Sequence, residues 1–459
     1  MTIEYFQGKK ITVMGLGLLG RGVGDAKYIV EAGAAEVIVT DLKPALDLKV
    51  SASELANYSN VRLVLGEHRL EDFLNRDLVL VAAGVPLDSP YLKHARDNGV
   101  TLVQSAALFA ELSQVPVIGV TGTRGKSTVT HMIHHVLSVT TDGAVLLGGN
   151  VRGVSNLQLL KEATPDSLCV MELDSWQLQG FGWAGISPSV SVFTSFMPDH
   201  LNYYQTGGRN YKDAMVQYFT DKAQIFLHQD QSGTLVTTPA VFAWVKQVFP
   251  DVKLDQELVL TDASVIPDEA VLAMPGEHNR LNAALAYEAL RAVGLSEAEI
   301  LNGLASFPGV PGRLEYLGSL NGVRVYNDNN ATTPEATLVG VEAVLPLGPV
   351  VLIAGGADKA LSFEGLVEAI RQTKRTIFLP GTGTERLLKE LPDELRSRVE
   401  VVDGLAPSFA ATRAAATAGD VILFSPGFAS FGLFKNEYDR NDQFVALVRE
   451  ALAEAEAVE

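Results

Sequence analysis

The sequence predicts an α/β chain of three domains. These are a Rossmann-like N-terminal domain over 1–113, a central P-loop ATPase-type domain with a parallel sheet over 114–312, and a Rossmann-like C-terminal domain over 313–459. Three observations predict it. Short β-branched runs alternate with helical patterns along the chain, as in sheets covered by helices on both faces. A glycine-rich turn follows the opening strand of each of the first two blocks. Pro308-Gly309-Val310-Pro311-Gly312 then reads as a linker before the third. A length of 459 residues accommodates two to four domains. With 47% hydrophobic and 20% charged residues, a packed core is feasible and long disorder is not expected.

The first block opens on the buried strand Lys10-Ile11-Thr12-Val13-Met14. The turn Gly15-Leu16-Gly17-Leu18-Leu19-Gly20, a helical stretch and Glu36-Val37-Ile38-Val39-Thr40-Asp41 complete a βαβ unit. A further strand is expected at Leu78–Ala82. The second block has strands at Val115–Val120, Leu168–Leu173 and Val190–Thr194. The third has strands at Val323–Tyr326, Val350–Ala354, Thr376–Leu379 and Val421–Phe424, and a last helix near Asp442–Ala453. The Ala/Glu-rich tail from Ala451 to Glu459 reads as a fraying helix end.

Composition excludes several classes. A formal charge of −18 argues against nonspecific nucleic-acid binding, which needs a basic surface. An anionic small molecule stays compatible if local Lys, Arg, N–H groups and metal ions overcome the global field. The start of the chain has no apolar stretch of signal-peptide length. No apolar run reaches the roughly 18 residues of a membrane helix. Cys169 is the only cysteine, so no intramolecular disulfide forms. A cytoplasmic protein without membrane insertion is expected.

The strongest motif is Thr121-Gly122-Thr123-Arg124-Gly125-Lys126-Ser127-Thr128, between a strand and a helix. Glycines let the backbone approach phosphates, and the helix N-terminus binds anionic oxygens. Lys126 supplies a point charge and Ser127 a Mg²⁺ ligand. The strict P-loop pattern wants glycine where Val120 stands, so this is a variant. The bland alternative is a glycine turn with a solvated lysine. Gly15-x-Gly17-x-x-Gly20, with Asp41 closing the second strand, suits a dinucleotide or a nucleotide diphosphate, or else is only a tight turn. Two nucleotide sites in one chain point to a nucleotide-linked substrate plus ATP. Glu172, and the pair Asp199-His200, follow strands whose carboxyl ends face ligands in parallel sheets, where they suit Mg²⁺ near the phosphates. His131, His134 and His135 lack a nearby carboxylate partner and read as surface or packing residues, not a zinc site.

In this order the motifs resemble the Mur ligase family over nearly the whole chain. The variant P-loop, Gly148-Gly149-Asn150, Glu172, Asp199-His200, Gly276-x-His278-Asn279-x-x-Asn282, Arg313 and Asp328 each match a family motif. Three further features resemble the branch that adds glutamate to UDP-N-acetylmuramoyl-L-alanine: the Gly-Leu-Gly block with Asp41, Ser175-Trp176-Gln177-Leu178, and the stretch from Ser425 to Lys435. The resemblance implies an ATP-dependent ligase that works through an acyl phosphate. ATP would contact Thr121 to Thr123, Gly125 to Thr128, Asn282, Arg313 and Asp328. Two Mg²⁺ ions would be held by Ser127, Glu172, His200 and a carbamylated Lys222. The catalytic groups would be Lys126, His200 and Lys222. The nucleotide substrate would meet Gly15, Leu18, Leu19, Asp41, Asn150, Ser175 and Gln177. Glutamate would meet Thr332, Lys359, Ser430 and Phe431. Domain closure over ATP and a monomeric enzyme are also expected.

The chain departs from the branch at Asp328-Asn329-Asn330-Ala331-Thr332, where a lysine is usual at Asn330. It also departs at Asp174, Ser195 and Glu437. These leave open D-glutamate, L-glutamate or another amino acid. A P-loop kinase or NTPase that is no ligase, and a silent binding protein of the same fold, are the rivals from other classes.

Overall fold

The computed structural model describes residues 2–456 except 18, 19, 87, 206, 207 and 273. It divides into two compact units, Met1–Glu269 with Asn282–Leu304, and Ala270–Leu281 with Ala305–Glu459.

Among the described residues the first unit holds two sheets. The N-terminal sheet runs β3-β2-β1-β4-β5, with β1 Lys10–Met14, β2 Glu36–Asp41, β3 Val61–Leu65, β4 Leu78–Val81 and β5 Thr101–Val103. Its pairings are all parallel. The central sheet runs β11-β10-β9-β6-β8-β7 and is also parallel. Its strands are β6 Val117–Thr121, β7 Val145–Gly149, β8 Leu168–Glu172, β9 Val190–Phe193, β10 Thr234–Thr237 and β11 Glu257–Leu260. Central strands such as β4 and β6 are buried at every residue, which is why they read as continuous apolar runs. One hydrophobic core spans both sheets, from Phe6 and Ile29 to Phe193 and Val245.

In the second unit the sheet runs β12-β13-β17-β14-β15-β16. Its strands are β12 Glu315–Leu320, β13 Val323–Asn327, β14 Val350–Gly355, β15 Arg375–Leu379, β16 Val399–Val401 and β17 Val421–Phe424. It is mixed, not wholly parallel, because β12 pairs antiparallel with β13 at one edge. Asn321 (φ 50°) and Gly322 (φ 79°) form the two-residue hairpin turn. Left-handed φ at both positions suits Asn-Gly.

The last helix runs Glu437–Glu456, five residues earlier than expected at its start. Asn436 Oδ1 accepts the Asp439 N–H at 2.9 Å and so begins the helix.

In each sheet strand order reverses beside one strand, β1, β6 and β14 respectively. Crevices at such reversals open beyond the carboxyl ends of the strands. That topology decides where the chemistry of this chain collects.

Candidate active site

Gly122 and Gly125 follow β6 in positive-φ conformations, at φ 146° and 87°. A Cβ at Gly122 would stand 2.0 Å from Thr194 Oγ1. The following segment clamps the turn. Thr123 N donates to Ser195 O at 2.7 Å, Arg124 N to Ser195 Oγ at 2.9 Å, and Met197 N to Thr123 Oγ1 at 3.1 Å. Lys126 and Ser127 begin the helix Lys126–Thr140. Lys126 Nζ donates to Gly122 O at 3.0 Å and Thr123 O at 3.3 Å. Thr128 is buried in the same first turn. Asn282 lies against the turn, since a Cβ at Gly125 would fall 2.5 Å from its Oδ1.

Lys222 reaches this turn from another helix, Tyr211–Ala223. Its Nζ donates to Gly122 O at 2.8 Å and to Thr121 Oγ1 at 3.4 Å. The side chain is 1% exposed. Burial, then the charge of Lys126, holds its pKa well below the ordinary lysine value. The charges of Asp174, Asp199 and Glu172 oppose this shift without overcoming it. The adjacent Asp221 accepts from Gln179 Nε2, Gln217 Nε2 and Tyr204 OH at 2.7, 2.8 and 3.0 Å.

Glu172 ends β8 directly beside β6, in register with Val120. It is buried, and Asn150 Nδ2 donates to its Oε1 at 3.4 Å. The Asn150 N–H donates to the Glu172 carbonyl at 2.7 Å. His200 adopts a left-handed backbone at φ 52°, an uncommon state for a non-glycine residue. Its ring lies 4.7 Å from the Trp176 ring and 6.0 Å from Tyr218. Burial lowers its pKa and the cations Lys222 and Lys126 add to this, while Asp199 opposes them. The imidazole is therefore neutral near pH 7, the form that ligates a metal. Asp199 is held by Arg124 Nη1 at 3.1 Å. Burial raises the Asp199 pKa, but His200 and Arg124 outweigh it and keep it ionised.

A cavity of about 940 Å³ opens at the carboxyl ends of β1 and β4. Gly15, Gly17, Arg21, Asp41, His68, Tyr91 and Gln177 are among its walls. Asp41 is already engaged. Its carboxylate accepts the N–H groups of Leu16, Gly17 and Lys43 at 2.9, 3.1 and 2.9 Å. It therefore shapes the glycine turn, beyond anything it offers a ligand. Leu18 and Leu19 lie outside the described residues. Ser175 is buried in the first turn of the helix Ser175–Ala184, and Gln177 closes a capping box with Asp174 there.

In the second unit, Thr332, Lys359 and Ser430 follow the carboxyl ends of β13, β14 and β17. Lys359 Nζ donates to Thr332 Oγ1 at 2.9 Å. Ala357 N donates to Ala429 O at 3.0 Å, which sets the loop carrying Ser430 beside that of Lys359. Phe431 is 68% exposed. Asp328 is buried, accepting from Leu314 N at 3.2 Å and Ser425 Oγ at 2.9 Å. The charge of Arg313 also acts on it.

Models of three Mur ligase domains match the chain in order. The MurD-like N-terminal domain covers 9–104, the Mur ligase middle domain 120–290, and the glutamate ligase domain 312–428. The UDP-N-acetylmuramoylalanine–D-glutamate ligase of Roseiflexus sp. (strain RS-1) is 36% identical, over 96% of this chain and 98% of its own. The chain belongs to the Mur ligase family. The ligase of the same name from Borreliella burgdorferi (strain ZS7) is 29% identical over 98% and 99% of the two chains. MurF ligase from Thermotoga maritima, solved with ADP, shares the fold at a TM-score of 0.59 and 17% identity, covering 98% and 97%.

A Mur ligase implies Mg²⁺, and the donors fit that ion. Among the described residues no group of three or more His, Cys, Asp and Glu side chains forms a cage. One buried carboxylate, Glu172, stands beside the turn bearing Ser127. Mg²⁺ is commonly held by one or two carboxylates completed by substrate phosphates. His131 and His134 bond the carbonyls of Ser127 and Val145 at 2.7 and 3.2 Å, as packing histidines do.

Sequence reasoning overlooked Arg440. Arg440 is fully buried in the second unit and donates to Asn329 Oδ1 at 2.8 Å, Asn329 O at 3.0 Å and Phe428 O at 3.2 Å. Asn329 Nδ2 donates to Glu437 O at 3.0 Å. The stretches around Asn330 and at Glu437 thus meet through Asn329 and Arg440. No local pattern marks an arginine 111 positions away as their link.

Asp328 yields a pH prediction. Burial raises its pKa to about 7, although Ser425, the Leu314 N–H and Arg313 each lower it. The folded chain keeps a proton there that the unfolded chain releases above about pH 4. Stability contributed by this proton is present below pH 4 and is lost as pH rises through 7. Denaturant unfolding at pH 5 and pH 8 is expected to show Asp328→Asn gaining on the wild type by roughly 2–4 kcal/mol at the higher pH. Equal pH slopes for both proteins would show that Asp328 does not titrate this way.

Proposed function

We propose that this Mur ligase joins D-glutamate to UDP-N-acetylmuramoyl-L-alanine, with ATP cleaved to ADP, as a step of peptidoglycan precursor synthesis. The supporting observation is the gathering of Lys126, Glu172, His200 and Lys222 around one glycine turn, in a chain 36% identical to a ligase of that name.

A free carboxylate resists attack by an amine, so it is first phosphorylated. Thr121 to Thr123, Gly125 to Thr128 and Asn282 bind ATP, with Lys126 placed where charge develops on the transferring phosphoryl group. Arg313 and Asp328 complete the ATP contacts. Ser127 and Glu172 would hold one Mg²⁺, and His200 and Lys222 would hold the second. When bound, the ions offset the negative charge brought together by two anionic substrates.

Lys222 would ligate as a carbamate. Burial and the Lys126 charge shift its balance toward the neutral amine, and that form adds to CO₂ with loss of one proton. The product is an anion at a position where an ammonium would repel the ion.

The cavity walls Gly15, Asp41 and Gln177, with Asn150, Ser175 and the neighbouring Leu18 and Leu19, take the nucleotide-linked substrate. Thr332, Lys359, Ser430 and Phe431 take glutamate, with the Lys359 ammonium offered to one carboxylate. The glutamate amine then attacks the acyl phosphate, an amide bond forms and phosphate leaves. The enzyme is proposed to act as a monomer in the cytoplasm. No helix of the described residues is long and apolar enough to cross a membrane.

The test is coupled ADP release. It should require UDP-N-acetylmuramoyl-L-alanine and D-glutamate together, with L-glutamate a poor acceptor. ADP formed equally without the amino acid would indicate a kinase or NTPase. Faster turnover with L-glutamate would trace to the altered stretches joined by Asn329 and Arg440.

A further inference from the structure

The helix Arg21–Glu31, which begins at the nucleotide cavity, is seated against the loop that follows β7. Asp25 is buried and accepts from Ser155 Oγ at 2.6 Å and Leu157 N at 3.1 Å. Gln158 Nε2 donates to Gly24 O at 2.9 Å. A Cβ at Gly24 would lie 2.6 Å from Ser155 Cβ, so helix and loop touch without a gap. Arg21 is four residues before Asp25, on the same helix face. Its Nη1 donates to Asn150 Oδ1 at 2.6 Å.

Asn150 faces two ways. One end of its amide receives Arg21; the other reaches Glu172 Oε1 at 3.4 Å, while its own N–H donates to the Glu172 carbonyl. The backbone leaves little play, because a Cβ at Gly149 would fall 2.0 Å from Glu172 O. Three side chains from separate elements therefore form a chain from the cavity wall to the carboxylate beside the glycine turn.

We propose that Arg21 is a positioning residue that couples filling of the nucleotide cavity to the placement of Glu172. Arg21 forms part of the cavity wall and is a fork of five donors. A nucleoside diphosphate bound there takes some of those donors and fixes the guanidinium. That fixes Asn150, and Asn150 sets the Glu172 carboxylate. The metal site thereby becomes competent when the nucleotide-linked substrate is present, and ATP is not activated ahead of its acceptor. The inference rests on the proposed function for the roles of Glu172 and the cavity, but not on which amino acid is joined.

The experiment follows Mn²⁺ binding to the full chain by electron paramagnetic resonance in the presence of ADP, with and without UDP. UDP is expected to tighten Mn²⁺ binding by about tenfold in the wild type. Arg21→Met should abolish that tightening and weaken UDP binding in calorimetry, with an unchanged unfolding midpoint. Arg21→Lys, which keeps the charge but loses the fork, should lose most of the tightening. In a double-mutant cycle, Arg21→Met combined with Asn150→Ala should be no worse than Asn150→Ala alone. A wild type in which UDP leaves Mn²⁺ binding unchanged, an Arg21→Met protein that keeps the effect, or strictly additive variants would each overturn the proposal. Tightening by UDP in a wild type that releases no ADP from the two substrates would remove the proposed function and leave the coupling standing.

Discussion

Lys126→Met is expected to lower turnover by roughly two to three orders of magnitude, the usual cost of losing one preorganised group at a developing charge. The chain carries −18 overall, so the field that attracts ATP must be local. Lys126 is at the first position of the helix after the glycine turn, with its ammonium bound to Gly122 O and Thr123 O. Those carbonyls line the turn itself, so the charge stays where phosphate oxygens arrive. Arginine should fail as well, because a planar fork does not replace a compact ammonium in so tight a turn. Removal of Lys126 leaves Gly122 O accepting from Lys222 at 2.8 Å, so the unfolding midpoint should change little. Coupled ADP release gives the turnover, and calorimetry the midpoint. A Lys126→Met enzyme within about tenfold of the wild type would deny Lys126 its role on the phosphoryl group.

Lys222→Ala is expected to abolish turnover to a similar extent, roughly a hundredfold or more, with added bicarbonate giving no rescue. The physical case is that burying a lysine ammonium is unfavourable, and the opposing charges of Asp174, Asp199 and Glu172 do not offset that burial here. Asp221 is committed to Gln179, Gln217 and Tyr204, and Lys126 repels the ammonium. The folded state favours the neutral amine, and its cost to stability at neutral pH falls as pH rises from the depressed folded pKa toward the unfolded value. Substitution should therefore leave the protein at least as stable at pH 7 while removing activity. Wild type supplied with ¹³C-bicarbonate should show a carbamate carbon resonance that Lys222→Ala and Lys222→Arg lack. Activity that survives in the arginine variant, which cannot form the carbamate, would rule out this route.

The sequence made the first tier of the site legible because its signals are local. Turns that begin Gly15 and Thr121 follow apolar runs and precede helical patterns, and that order alone places them at the carboxyl ends of parallel strands. The short strands β3, β5, β7, β10, β11 and β16 were not legible. All but β10 lie at sheet edges, where half-exposed residues such as those of β3 blur the apolar signal; β10 is buried at each of its four residues but too short to stand out. The mixed character of the third sheet was missed for another reason. Asn321-Gly322 is a hairpin signal, but β12 before it reads Glu-Tyr-Leu-Gly-Ser-Leu, with a register irregularity between Tyr316 and Gly318.

What the sequence determined by itself is the inventory: a variant phosphate loop, a second nucleotide turn, a carboxylate and a histidine after strands, and a family order that singles out Lys222. Periodicity and turn chemistry act over a few residues, so one strand and its neighbours carry them. What tertiary structure decided is which of these groups meet. It brought Lys222 to Gly122 across 100 positions, Arg21 to Asn150 across 129, and Arg440 to Asn329 across 111. Such meetings depend on strand order and on how helices seat against a sheet. Burial and pKa follow from them, which is why a lysine that looks ordinary in the sequence becomes, once folded, a buried amine with a depressed pKa against a glycine turn.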